Sequence, residues 1–195
     1  NPIRNSNWAC AIRARMGIPA AVGTKQASRI VMLTGPECEL FSDAELKKFL
    51  AGGVLLDGTA AVKLCARGLG GLLGVKADVP ADWKCSFERM HAHVLNGPAA
   101  GKTIPMAVLN SGTAVRLVAA TETTQALSAL YKAPFYCSVD EREVGVGLTL
   151  FKNRLGGRVA IYAAAVRAVP FLDENRREHL VRILGWLNKK PLPVV

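Results

Sequence analysis

The most constraining stretch of the chain is Ala27 to Leu73, because three local signals in it agree on where a helix must begin. Ser42 is a good N-cap, Glu45 stands three residues later to complete a capping box, and Phe41 before the cap can meet Leu46 as a hydrophobic staple. The helix that follows presents Leu46, Phe49 and Leu50 on one side and Lys47 and Lys48 on another, and Gly52-Gly53 must end it. Apolar runs flank it. Ile30 to Leu33 is short and β-branched and closes at Gly35-Pro36; Val54-Leu55-Leu56 is a second run of the same kind, as expected for strands buried on both faces.

At Asp57-Gly58-Thr59 the chain turns out of the second strand. Val62, Leu64, Cys65, Leu69, Leu72 and Leu73 then fall at mixed helical spacing, with Gly68, Gly70 and Gly71 breaking the segment into pieces. Strand, helix, strand with short connections implies a right-handed parallel crossover, hence an α/β architecture with helices over a central sheet.

The sequence SDAELKKFLAGGVLLDGTAAV, preceded by RMGIPAAV, resembles the class I glutamine amidotransferase-like, flavodoxin-like module found as the middle, trimerisation domain of family forty-two β-galactosidases and related multidomain glycoside hydrolases. The resemblance runs from Trp8 to Leu187 as a pattern of elements. It implies a three-layer, mostly parallel sheet with helices on both faces and a late antiparallel hairpin. It also implies a non-catalytic structural or interaction module of a carbohydrate-active protein. Residues 1–190 form one such domain in this reading, cut from a longer polypeptide, and 191–195 form a linker. The partners it implies are neighbouring domains or further copies of the chain.

The 195 residues suit one domain, which buries roughly 70% of the surface its unfolded form exposes. The formal net charge of +10 invites a polyanion partner. The cations are scattered, however, at Arg4, Arg13, Arg15, Arg176, Arg177, Arg182, Lys189 and Lys190, without the interleaved aromatics of a nucleic-acid surface. Neither nucleic acid nor membrane is expected as a partner, since no uncharged apolar run approaches the roughly 20 residues of a spanning helix. Five cysteines without a Cys-x-x-Cys pair read as reduced thiols and lean toward a cytoplasmic setting.

Elsewhere the pattern gives a first helix burying Trp8, Ala11 and Ile12, a strand at Ile18 to Val22, and an irregular excursion after Val75 with strands at Phe87 to Val94 and Val115 to Ala120. A hairpin follows, VGVGLTLFK and RVAIYAAAV around Asn153 to Gly157. The final helix is capped by Asp173; Leu180, Val181, Ile183, Leu184 and Leu187 form its apolar face, with its Arg and Glu residues toward water and His179 on a surface-like position.

The chemistry of an amidotransferase needs a Cys nucleophile on a strand-to-helix turn and a downstream His with an acid. No such elbow is present, so no catalytic residue is assigned. Cys38 is the thiol at a strand's end, and its neighbours Glu37 and Glu39 should raise its pKa; it is the residue a thiol-dependent hydrolase would use. His91 and His93 alternate with Cys85 nearby, which is short of a metal-ligand set, and ordinary strand polarity explains them. Asp140, Glu141 and Glu143 read as a polar hinge rather than an acid and nucleophile pair. No dinucleotide or phosphate loop is present, and no cofactor is expected. Asp57 and Thr59, on the rim at a strand's carboxyl end, are the binding-site candidates for a sugar or acidic ligand, although Asp-Gly-Thr is equally a plain turn.

Overall fold

A computed structural model describes Ile12 and residues 30–80, 85–109, 114–132, 141–165 and 174–189. Strand β1 (Ile30–Leu33) leads through a one-turn helix α1 (Gly35–Cys38) to helix α2 (Asp43–Leu50) and strand β2 (Gly53–Asp57). Helix α3 (Gly58–Ala66) and a 3-10 turn (Gly70–Leu72) follow. The local chemistry accounts for these boundaries. Ser42 N donates to the Glu45 carboxylate at 2.8 Å and Ser42 Oγ accepts from Glu45 N at 3.3 Å, so each partner satisfies an orphan group of the other. Phe41 meets Phe49 edge-on at 5.0 Å, and Leu46 is buried beneath. Gly35-Pro36 opens α1, with Glu37 reaching back to Thr34 N at 2.7 Å.

From Val75 onward the chain changes character. Strands β3 (Val75–Asp78), β4 (Cys85–Met90), β5 (Thr103–Leu109), β6 (Arg116–Ala119), β7 (Gln125–Lys132), β8 (Arg142–Lys152) and β9 (Arg158–Tyr162) precede the last helix, α4 (Glu174–Asn188). The main sheet has the order β1-β2-β9-β8-β7-β4-β5, and β3 pairs with β6 in a separate antiparallel ribbon. Within the main sheet only β1-β2 and β2-β9 are parallel; the other four neighbouring pairs are antiparallel, and the sheet curls into a half-barrel.

This overturns the flavodoxin-like, mostly parallel three-layer sheet and with it the resemblance to the amidotransferase-like β-galactosidase module. The reason is connectivity. A parallel sheet needs a crossover, usually a helix, between successive strands; beyond α3 the described residues between Val75 and Tyr162 include no α-helix, and antiparallel pairing dominates there. The strand expected over Phe87 to Val94 instead runs from Cys85 to Met90; residues 91–93 are irregular and a 3-10 segment (Val94–Ala99) follows. The expected Val115 to Ala120 strand is β6, shorter by one residue at each end.

Val54, Leu55 and Leu56 are all fully buried, so β2 is covered on both faces. Helix α3 packs on β2 and β9, while α4 packs on β1, β2 and β9. Ile12 is helical and fully buried; Trp8, the strand at Ile18 to Val22, the Asp173 cap and the tail after Lys190 lie outside the described residues. Among the described residues no helix is long and apolar enough to cross a membrane.

Candidate functional site

Three places can be built from the residues upward: the carboxyl rim of the parallel strands, the buried side of the antiparallel strands, and their opposite face.

At the rim, Asp57 ends β2 and caps α3. Its Oδ1 accepts from Ala60 N at 2.9 Å and from Thr59 Oγ1 at 2.7 Å, and Asp57 is 2% exposed. Thr59 Oγ1 in turn accepts from Gly35 N at 3.0 Å, which ties the first turn of α1 to the first turn of α3. The two residues singled out in the sequence are thus brought together, and both are engaged in holding helix starts. The residue between them, Gly58, is closely packed. A Cβ on Gly58 would lie 2.1 Å from the Ala163 carbonyl oxygen, which also accepts from Val115 N at 2.9 Å. Ala114 bridges to Ala164, so a strap from the β5–β6 connection lies directly across the end of β9.

Cys38 lies beside this rim and is fully buried. Burial, reinforced by Asp57 and Glu37, pushes its thiol up to about 12. Such a thiol carries almost no thiolate near neutrality. Arg67 closes the same corner: it donates to the carbonyls of Cys38 at 2.8 Å and Phe41 at 3.0 Å and pairs with Asp43.

On the antiparallel half, β4 alternates, placing Glu88 and Met90 inward and Phe87 and Arg89 outward. The inward Glu88 meets Arg176 of α4 in an ion pair, and Ser128 Oγ donates to its other carboxylate oxygen; Glu88, Arg176 and Ser128 are all essentially inaccessible. Arg176 also donates to His179 Nδ1 at 3.4 Å and stacks over the Tyr162 ring at 5.5 Å. Gly147 makes room, since a Cβ there would stand 2.6 Å from Ser128 Oγ. His179 is fully buried, and burial, with the nearby Arg176, Arg182 and His93 charges, lowers its pKa to about 3.

The expectation that the Arg residues of the last helix face water therefore fails for Arg176, and His179 is interior rather than on a surface position. Neither was legible locally, because the carboxylate that admits Arg176 to the interior is 88 residues away in the chain. The cluster is not a nucleophile triad: Ser128 donates to a carboxylate already paired with a guanidinium, and among the described contacts its hydroxyl meets no histidine.

The outward face carries a cross-strand ladder. Phe87 and Tyr131 stack at 5.2 Å, Arg89 lies 4.6 Å from the Tyr131 centroid, and Arg89 pairs with Glu141 at 2.8 Å. Tyr131 donates to Glu143 at 3.3 Å, so Glu141 and Glu143 serve this ladder rather than facing each other as a reacting pair. His91 and His93 fall past the end of β4; His91 Nδ1 lies 3.0 Å from the Ala126 carbonyl and His93 Nδ1 accepts from Leu95 N at 3.2 Å. Cys85 is buried at the strand's start, and among the described residues no three potential metal ligands come together.

No protein-family model matches the chain, and no curated protein sequence does. Among solved structures it is similar to α-L-fucosidase isoenzyme 2 from Paenibacillus thiaminolyticus, with a TM-score of 0.54 and 17% identity over 84% of this chain and 26% of that one. The chain spans about a quarter of the length of that enzyme. At that identity the likeness is one of fold.

Proposed function

We propose that this chain is a non-catalytic module associated with a glycoside hydrolase and that its work is to pack against other domains of such a protein or against further copies of itself. The observation that carries this reading is the filled rim: the carboxyl ends of parallel strands, where α/β sheets collect ligands, are occupied by Gly58, Val115 and Ala163, and Asp57 and Thr59 are used as caps. The similarity to part of a fucosidase supports the setting. Cys38 supports the absence of thiol chemistry, being buried with its thiol held at about 12.

The test is turnover by the purified chain on aryl α-L-fucoside, aryl β-galactoside, aryl ester and glutamine. None is expected. Turnover abolished by Cys38→Ala would establish the thiol hydrolase instead, and glycoside turnover that survives that change would equally sink the reading.

A further inference from the structure

The β8–β9 turn, Asn153 to Gly157, sits between the carboxyl ends of two helices. Asn153 Nδ2 donates to the last carbonyl of α2, at Leu50, at 2.8 Å, and Lys189 Nζ, just past α4, reaches the Gly156 carbonyl at 3.2 Å. Arg158 donates to the Trp186 carbonyl near the end of α4 and stacks on the Trp186 ring at 5.2 Å. Lys152 stands directly across the ladder from Arg158. Arg154 is exposed in the turn itself, and Lys47 is exposed in the last turn of α2.

With Lys48 beside Lys47, six cations on α2, the β8–β9 hairpin and the end of α4 therefore lie toward one end of the molecule, and the segments that carry them, residues 47–53, 151–158 and 186–189, contain no carboxylate. Glu122, in the β6–β7 turn at the same end of the sheet, makes no ion pair with any of them among the described residues. Helix dipoles explain a preference for one or two cations at these carboxyl ends. They do not explain Lys152 opposite Arg158, since like charges directly across a ladder destabilise it. Elsewhere on the surface cations are paired: Lys63 with Glu39, Arg67 with Asp43 and Arg182 with Glu178. Uncompensated repulsion maintained in the free protein is relieved when an anion arrives.

We propose that this end of the molecule is a binding surface for an acidic polysaccharide bearing uronate or sulfate groups. A polymer with charges along its length can meet cations on three separate elements at once, which a single small anion cannot. The polymer class rests on the glycoside-hydrolase-associated reading; the anionic character rests on the cations alone. Of the aromatic residues in these segments, Phe151 is buried, Phe49 packs edge-on against Phe41 and the Trp186 ring already carries Arg158, which is not the row of free rings on which successive nucleobases stack.

The test is calorimetric titration of the full chain with polygalacturonate, chondroitin sulfate, a neutral β-glucan and single-stranded DNA. Binding to the acidic glycans is expected, falling steeply as salt rises from about 50 to about 200 mM, with no heat from the neutral glucan. Lys152→Glu/Arg154→Glu should weaken it about tenfold. Arg177→Glu/Lys102→Glu, which changes net charge by the same amount at the opposite end, should leave it within about twofold. Equal losses in both variants would reduce the effect to net charge and overturn the site. Binding to DNA but to neither acidic glycan would overturn the ligand class, and absence of binding to every polyanion would overturn the surface. Glycosidase turnover by the chain would leave these titrations untouched while removing the non-catalytic reading.

Discussion

The two halves of the main sheet solve the problem of burial differently. The core strands of the parallel half are apolar: Val54, Leu55, Leu56, Val159, Ala160 and Ile161 are fully buried between helices, and the polar groups at its rim are capping contacts, from Asp57 to its near neighbours and from Thr59 to Gly35. The antiparallel half carries its charge inside, with Glu88, Arg176, Ser128 and His179 interlocked beneath α4, and leaves Phe87, Arg89 and Tyr131 half-exposed on its other face. A helix over an apolar strand is held by area and tolerates small shifts. The same helix pinned by a buried ion pair is held in one register, because removing either partner takes away a charge that offsets the desolvation of the other.

The sharpest break of this comparison is Glu88→Ala. It should cost about 3–5 kcal/mol in unfolding by denaturant, since Arg176 is left charged and buried. Replacing both partners together, as in Glu88→Leu/Arg176→Met, should recover most of that loss. If the single change costs no more than an exposed ion pair such as Arg116–Asp78, the interior charge does not pin α4.

Acid should act on the same half. The folded pKa of His179, about 3, lies below the ordinary value of 6.5, so the folded state holds this histidine neutral while the unfolded chain protonates it. Its contribution is fully present above about pH 6.5 and is lost progressively as pH falls toward about 3, by a few kcal/mol in all. Melting profiles of the native chain and of His179→Gln across that window should converge at the acid end; parallel profiles would show that the histidine is solvated or paired.

A smaller effect belongs to the parallel half. Asp57→Ala removes the α3 cap and the anchor for Thr59, and should cost about 1–2 kcal/mol, with Asp57→Asn recovering part of it. A saturable sugar titration abolished by Asp57→Ala but retained by an equally destabilised rim variant such as Thr59→Ala would instead make Asp57 a ligand contact.

What the sequence by itself determined is the set of features written within a few residues. The α2 capping box, the apolar runs of β1 and β2, the β8–β9 hairpin around Asn153 and the apolar stripe of α4 each depend on neighbours three or four positions apart or on strict alternation. The tertiary structure alone decided the rest. Strand β5 is interrupted by Pro105, β3 is four residues long and β7 lacks strict alternation of apolar and polar residues, and only their ladders define them. The direction of the sheet follows from the described residues between Val75 and Tyr162, which include no α-helix and whose strands pair mostly antiparallel. Asp57 reads identically in sequence as a ligand or as a cap, and only the structure shows its Oδ1 accepting from Ala60 N at the start of α3. Arg176 and His179 look like the wet face of an amphipathic helix until Glu88, on a strand 88 residues earlier, supplies the charge that lets them be buried.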